Sequence, residues 1–248
     1  EHARVLRPED PMVLAIDAML RSEEGDQVRA LDLVHQAAAM RSQDSTPQLW
    51  LGLSLYVTGY VADSVGAFER AVEMDPLVGI NNGYLAIAYL ATGREAEAVQ
   101  HAQSAMQLGW GAAMWVYAIE LAARDERGQA LAVLRSVSDG ASQFEPSRVA
   151  LAAAIADPAA AGAQFQADFE RPPEELLAIQ RADEYLDRLA ARIAAGRVIN
   201  QTGWLRMAWL PTFRSVREDP RFFAAADDLG LVELWETRGY PDGCIRAT

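Results

Sequence analysis

The stretch GYVADSVGAFERAVEMDP, from Gly59 to Pro76, is one copy of a pattern that recurs every 34 residues. Gly25, Ala30 and Ala37 precede Gly59, Ser64 and Ala71 by that interval, and Gly93, Ala98 and Ala105 follow them by the same interval. A fixed period of this length builds a chain from stacked supersecondary units, each too small to bury its own apolar face alone. The glycines suit turns, and the small residues suit places where two antiparallel helices cross closely, with Phe68 or Tyr89 filling the space beside them. No alternating strand pattern competes with this reading, so the spacing predicts an all-helical array of hairpins.

The period extends in both directions. Upstream, GDQVRALDLVHQAAAM supplies Gly25, Ala30, Val34 and Ala37, and Ala3 and Pro8 stand 34 before Ala37 and Ser42. The chain is therefore expected to start inside the second helix of a preceding repeat and to be a fragment or mature segment of a larger protein. Downstream, MWVYAIELAARDERGQALAVLRSV keeps Ala118, Leu121, Ala130, Leu134 and Val137 at a shortened spacing, which reads as a degenerate fourth copy.

Composition limits the chemistry. With 248 residues and 51% hydrophobic content the chain can bury a substantial core, while a formal net charge of −13 repels phosphate backbones and disfavours nucleic acid as a partner. Every one of the 22 basic residues is arginine, which removes Schiff-base lysines, phosphate-loop lysines and Ser/Lys nucleophile pairs. A single cysteine, Cys244, cannot close an internal disulfide. The most apolar runs, 49–62 and 150–163, are too short or too interrupted to span a bilayer, so no membrane insertion is expected. The opening EHARVLRPED lacks the apolar centre of a signal peptide.

A period of 34 is that of the tetratricopeptide repeat, and the sequence resembles that family. In TPQLWLGLSLYVTGYVADSVGAFERAVEMDP, Leu51 and Gly52 fall on the family's Leu-Gly pair, Gly59 on its turn, Phe68 on its aromatic position, Ala71 on its small residue and Pro76 on its closing proline. The next copy has Leu85, Ala86, Tyr89, Gly93, Ala98 and Ala105 in register, with Trp110 in place of the proline. Asp17 and Arg21 depart from the pattern, standing where the family has apolar residues. The resemblance implies a right-handed superhelical solenoid of antiparallel helix pairs: repeats over 1–140, then degenerate helical repeats and a helical cap over 141–248, one continuous domain. It also implies a ligand wall made by the first helices, here Leu49, Leu53 and Tyr56, then Gly83, Ile87 and Leu90, then Trp115, Ile119 and Ala122. These are almost wholly apolar and lack the Lys, Asn and Arg with which chaperone-binding members grip a peptide carboxylate.

Past about Gly140 the period fades but helices continue. RPPEELLAIQRADEYLDRLAARIAAGR carries Pro172 and Pro173 at a helix start, Glu174 and Glu175 in the first turn, and Gly196 as a stop. In the tail, Asp219 reads as a cap, Pro220 as the first residue of a short helix ended by Gly230, and Leu231 to Arg238 as another closed by Gly239. Phe222, Phe223, Leu229, Leu231, Leu234 and Trp235 are expected to seal the last exposed hairpin. This tail is similar to the end of bacterial tetratricopeptide regulators, whose output domain is a winged helix or a nucleotide cyclase, often behind a membrane span.

No Gly-x-Ser-x-Gly, His-Glu-x-x-His or Gly-x-Gly-x-x-Gly motif is present. His35 lies three after Asp32, a spacing that brings two ligands to one helix face, but two ligands make a poor metal site. Adjacent carboxylate pairs such as Glu174/Glu175 and Asp227/Asp228 point apart on a helix and read as helix-end and solubility residues. Neither catalytic residues, a metal site nor a cofactor is expected. The expectation is a protein-interaction or sensory module binding a protein or peptide, including its own parent output domain, along Leu49, Leu53, Tyr56, Ile87, Leu90, Trp115 and Ile119. That stripe could equally be covered by the chain's own carboxyl-terminal helices. An adaptor in envelope or secretion machinery is the second reading and an enzyme the third. The resemblance leans the parent towards a periplasmic location, with cytoplasmic as the alternative, and a homodimer stays open.

Overall fold

In the computed structural model, described over residues 10–40, 42–137, 145–161, 174–195, 201–241 and 244, every regular element is a helix and no strand occurs among the described residues. Ala3, Pro8, Gly140, Pro172, Pro173 and Gly196, which carried sequence expectations, lie outside them. Helices α1 (Pro11–Glu23) and α2 (Gln27–Ala39) form the first hairpin, α3 (Thr46–Val57) and α4 (Val61–Met74) the second, α5 (Gly79–Ala91) and α6 (Glu95–Gln107) the third, and α7 (Ala112–Ala123) and α8 (Arg127–Ser136) the fourth. Their starts follow local chemistry: Asp10 accepts from the Met12 amide at 2.9 Å with Pro11 as first helical residue, and Asp26 accepts from the Arg29 amide at 3.0 Å.

Each hairpin turns on one left-handed residue. Gly25, Gly59 and Gly93 have φ of +82°, +96° and +77°. At Gly93 the amide donates to the Leu90 carbonyl (3.1 Å) and the Arg94 amide to the Tyr89 carbonyl (2.8 Å), a Schellman arrangement that uses up the last carbonyls of α5. The fourth hairpin repeats it with Asp125 at φ +65°: its amide reaches Ala122 and the Glu126 amide reaches Leu121. Asp125 stands 32 residues after Gly93, which accounts for the shortened fourth copy and shows why no glycine marks it.

The small positions of the second helices, Ala30, Ala37, Ser64, Ala71, Ala98, Ala105 and Ala130, are all buried. Between hairpins an aromatic row continues the packing: Phe68 stacks on Tyr84 at 5.8 Å and Tyr84 meets Trp110 at 5.2 Å. Trp110 lies over Gly83 so closely that a Cβ there would fall inside its ring. The first helices α1, α3, α5 and α7 touch in sequence and make one wall, while α2, α4 and α6 each pack against the helix that follows.

Beyond α9 (Glu145–Ala156) come α10 (Glu174–Ala178) and α11 (Ala182–Ala194), where the sequence pattern indicated one unbroken helix. The break is a fifth turn of the same type: Gln180 is left-handed at φ +59°, its amide bonds Leu177, and the Arg181 amide bonds Leu176. Leu176 and Leu177 are buried and α10 packs on α7. Glu175, expected at the surface, is buried with them.

The tail comprises a 3-10 segment Gln201–Trp209, a 3-10 turn Pro211–Phe213, α12 (Arg214–Arg217), α13 (Pro220–Asp228) and α14 (Leu231–Arg238). Asp219 caps α13 by accepting from the Arg221 amide at 2.8 Å, and Gly230 and Gly239 bound α14 at φ +75° and +98°. α13 packs on α11, as a seal for a late hairpin would. The rest differs from that expectation, because α14 returns to α2 and the 3-10 segment lies on α3. The reason is polar as well as apolar: Gln27 donates to the Leu229 carbonyl at 2.9 Å, Tyr60 to the Gly239 carbonyl at 2.8 Å, and Arg238 pairs with Asp32.

Candidate functional site

The first-helix wall divides into a covered and an open part. Leu49, Tyr56, Ile87, Leu90 and Ile119 are buried, with Ile119 at 0% exposure, whereas Leu53 and Trp115 are half-buried. At Tyr56 the cover comes from the tail. The Tyr56 hydroxyl donates to the Arg206 carbonyl at 3.0 Å, and burial pushes its pKa well above the ordinary phenol value. The indole of Trp209 donates to the Val57 carbonyl at 3.3 Å and that of Trp235 to the Thr58 carbonyl at 2.8 Å. Those carbonyls end α3, where the helix has no donors left to offer them. A helix end that would otherwise face solvent is thus closed by two tryptophans more than 150 residues away.

Further along the wall, Thr212 donates to Oε1 of Glu120 on α7. Glu120 is 3% exposed and its Oε2 has no hydrogen-bond partner in the protein. The nearest cation on its own helix, Arg124, is taken by Glu95, which accepts two bonds of 3.0 Å from it. Burial therefore dominates and raises the Glu120 pKa, with Thr212 and Arg124 opposing.

The open part is a cavity of about 270 Å³ between α1, α3 and α5. Of the predicted stripe, Leu53, Tyr56 and Ile87 meet there; Leu49, Leu90, Trp115 and Ile119 do not line it. They are joined by Trp50, Val57 and Tyr84, by Ala15, Ala18, Met19 and Val34, and by polar Ser22, Glu23, Ser54 and Arg206. Trp50 and Tyr84 each follow a stripe position by one residue, so a wider helical face read from the sequence would have included them. Arg206 had no such signal, because the tail carries no period that places it opposite α3. On α1, Ile16, Met19 and Leu20 are 49%, 45% and 56% exposed, and Met19 is itself part of the cavity wall.

A second opening of about 440 Å³ lies between the α10–α11 turn and the tail, lined by Gln180 to Glu184, Leu186, Ser215, Val216 and Asp219. Arg221 spans the carboxylates around it, contacting Asp183, Asp187 (2.9 Å) and Asp219 (2.8 Å). His35 is pushed below its usual pKa by burial, and Asp32, its sequence partner, bonds Arg238. Among the described residues no three His, Cys, Asp or Glu side chains converge to hold a metal ion, and no helix is long and apolar enough to cross a membrane. Compared with known proteins, the sequence matches no family model and no curated relative.

Proposed function

We propose that this chain is a non-catalytic protein-interaction module of the tetratricopeptide class, a right-handed hairpin array that docks an amphipathic helix of a partner or of its own parent protein. The observation that carries the reading is the open cavity between α1, α3 and α5. It is smaller than the roughly 300–1,000 Å³ usual for whole small-molecule ligands. One or two large side chains fill such a space, which is how a helix anchors in a groove. Exposed Ile16, Met19 and Leu20 widen the apolar surface of α1 beside the cavity and match the i, i+3, i+4 contacts of such a helix. The tail's likeness to bacterial tetratricopeptide regulators supports a regulatory parent.

The test is selection from a displayed library of amphipathic helical peptides, counter-selected with Leu53→Glu. Leu53 is half-buried against the core, so binding is compared at a temperature where circular dichroism shows both proteins folded. The expected result is enrichment of peptides with apolar residues at helical spacing that lose about tenfold or more in affinity for the variant. Enriched peptides that bind both proteins equally, or no enrichment at all, would overturn the reading.

A further inference from the structure

We propose that residues 201–217 form a displaceable strap over the first-helix wall, held on an anchored base made by α13 and α14, so that partner docking and strap closure are coupled. The coupling rests on the docking reading above, but the strap's independent opening does not.

The base is firmly placed. Trp235 is fully buried and bonded to Thr58, Gln27 holds the Leu229 carbonyl, and Gly230 sits against the backbone of Gly25 with no room for a Cβ. The strap is built differently. Its first nine residues are 3-10 helix, a geometry with poorer hydrogen bonds that rarely runs beyond three or four residues. Its seam with the wall holds a buried carboxylate, Glu120, with one oxygen bonded to Thr212 and the other unmatched. Arg217, half-buried at the strap's own end, donates from its guanidinium to the Ala208 and Leu210 carbonyls, while its buried Nε has no partner in the protein. Burial lowers its pKa. Unmatched buried polar groups offset part of what Leu205, Met207, Trp209, Leu210 and Phe213 contribute by burial. A segment with that balance opens below the free energy of global unfolding, while the hairpins beneath it stay closed.

The strap also shapes the site. Arg206 lines the open cavity while its carbonyl is bonded by Tyr56, a residue of the same cavity. Lifting the strap would uncover Tyr56 and Glu120 and lengthen the groove from the cavity towards α7. A helix that fits the longer groove binds the open form better, and only such a difference in affinity shifts the equilibrium between the two.

The experiment is native-state hydrogen exchange on the unliganded chain, followed by mass spectrometry, for wild type, Thr212→Val and Glu120→Gln. Thr212→Val keeps the side chain's shape and removes the hydroxyl donor to Glu120, leaving the Thr212 amide; amides of 205–217 should exchange about tenfold faster, with α3 to α6 unchanged. Glu120→Gln keeps an acceptor for Thr212 and removes the group that must ionise while buried, so above the ordinary carboxyl range the same amides should slow. Opposite movements confined to the strap support the proposal. Strap amides that exchange in step with α3 to α6 in all three proteins make the segment part of the core and overturn it. So does movement in the same direction in both variants. Peptide binding is absent from this measurement, so the strap can fail while the docking reading stands, and the reverse.

Discussion

Asp125 holds a left-handed backbone at a turn where Gly25, Gly59 and Gly93 do the same work with no Cβ. That conformation costs a non-glycine residue on the order of 1 kcal/mol, less for Asp than for bulkier types. Its carboxylate meets Arg127 at 3.1 Å, but with the Asp side chain 72% exposed the pair contributes little. Asp125→Gly should therefore raise stability by a few tenths to about 1 kcal/mol, read as a higher urea midpoint at unchanged slope. A lower midpoint would mean that the carboxylate matters more than the backbone strain. Glu120 sets a second expectation. Its pKa is raised from the ordinary value near 4.5 by burial, opposed by Thr212 and Arg124 and reinforced by Glu95. A carboxyl raised in the folded state adds stability that is fully present below the unfolded pKa and is lost as pH rises through the folded one. Several other carboxylates, among them Glu95, Glu97 and Asp219, are lowered by arginine contacts and act with the opposite sign, so the difference between two proteins is the useful quantity. The melting temperature of Glu120→Gln relative to wild type should climb between pH 4.5 and 7.5. A gap that stays constant across that range would rule out a buried ionising carboxyl.

At the scale of the element, the helices are joined through close approaches that a substitution can probe. Gly83 lies in the interior of α5, where alanine would normally gain about 1 kcal/mol from helix propensity. Trp110 occupies the space its Cβ needs, and Trp110 is pinned in turn by Tyr84 and Phe68. Overpacking of that kind costs roughly 1–3 kcal/mol, so Gly83→Ala should be net destabilising, seen as a lower melting temperature with retained helical circular dichroism. A rise would show that the indole yields easily. The sequence made these hairpins readable because glycine, small and aromatic residues repeat at fixed spacing, and the start of α13 was readable from Asp219 and Pro220. It hid the turns at Asp125 and Gln180, since no glycine marks either position, and α10 and α11 therefore read as one helix. Covering of the wall by the tail was one of two readings open from the sequence, but the contacts that cover Tyr56 were hidden for a different reason. Indole and hydroxyl donors that meet backbone carbonyls at 150 residues' separation leave no period to detect. Leu53, Tyr56 and Ile87, put on one wall by the resemblance, line the open cavity, which could only emerge once the tail's path was known.

Over the whole molecule, the tail changes how stability is shared. In an open hairpin array each unit touches only its neighbours, and stability is a sum of local terms. Here the first hairpin is tied to the last helices across some 200 residues by Gln27 with Leu229 and Asp32 with Arg238, besides the contact of Gly230 on Gly25. Damage at that contact should appear at both ends of the chain and spare its middle. Gly230→Ala is the sharpest probe, because it imposes a side chain on a left-handed backbone at φ +75° and drives its Cβ into the Gly25 carbonyl. The backbone term costs about 1 kcal/mol and the steric term adds roughly 1–3 kcal/mol, since the opposing atom is main chain and cannot rotate away. The expected outcome is faster proteolysis or hydrogen exchange in α1, α2 and α14 together, with α5 and α6 retaining wild-type protection. Loosening confined to α13 and α14 would show that the first hairpin stands without the tail. Uniform loosening would show that the chain unfolds as one unit, with no separable ends.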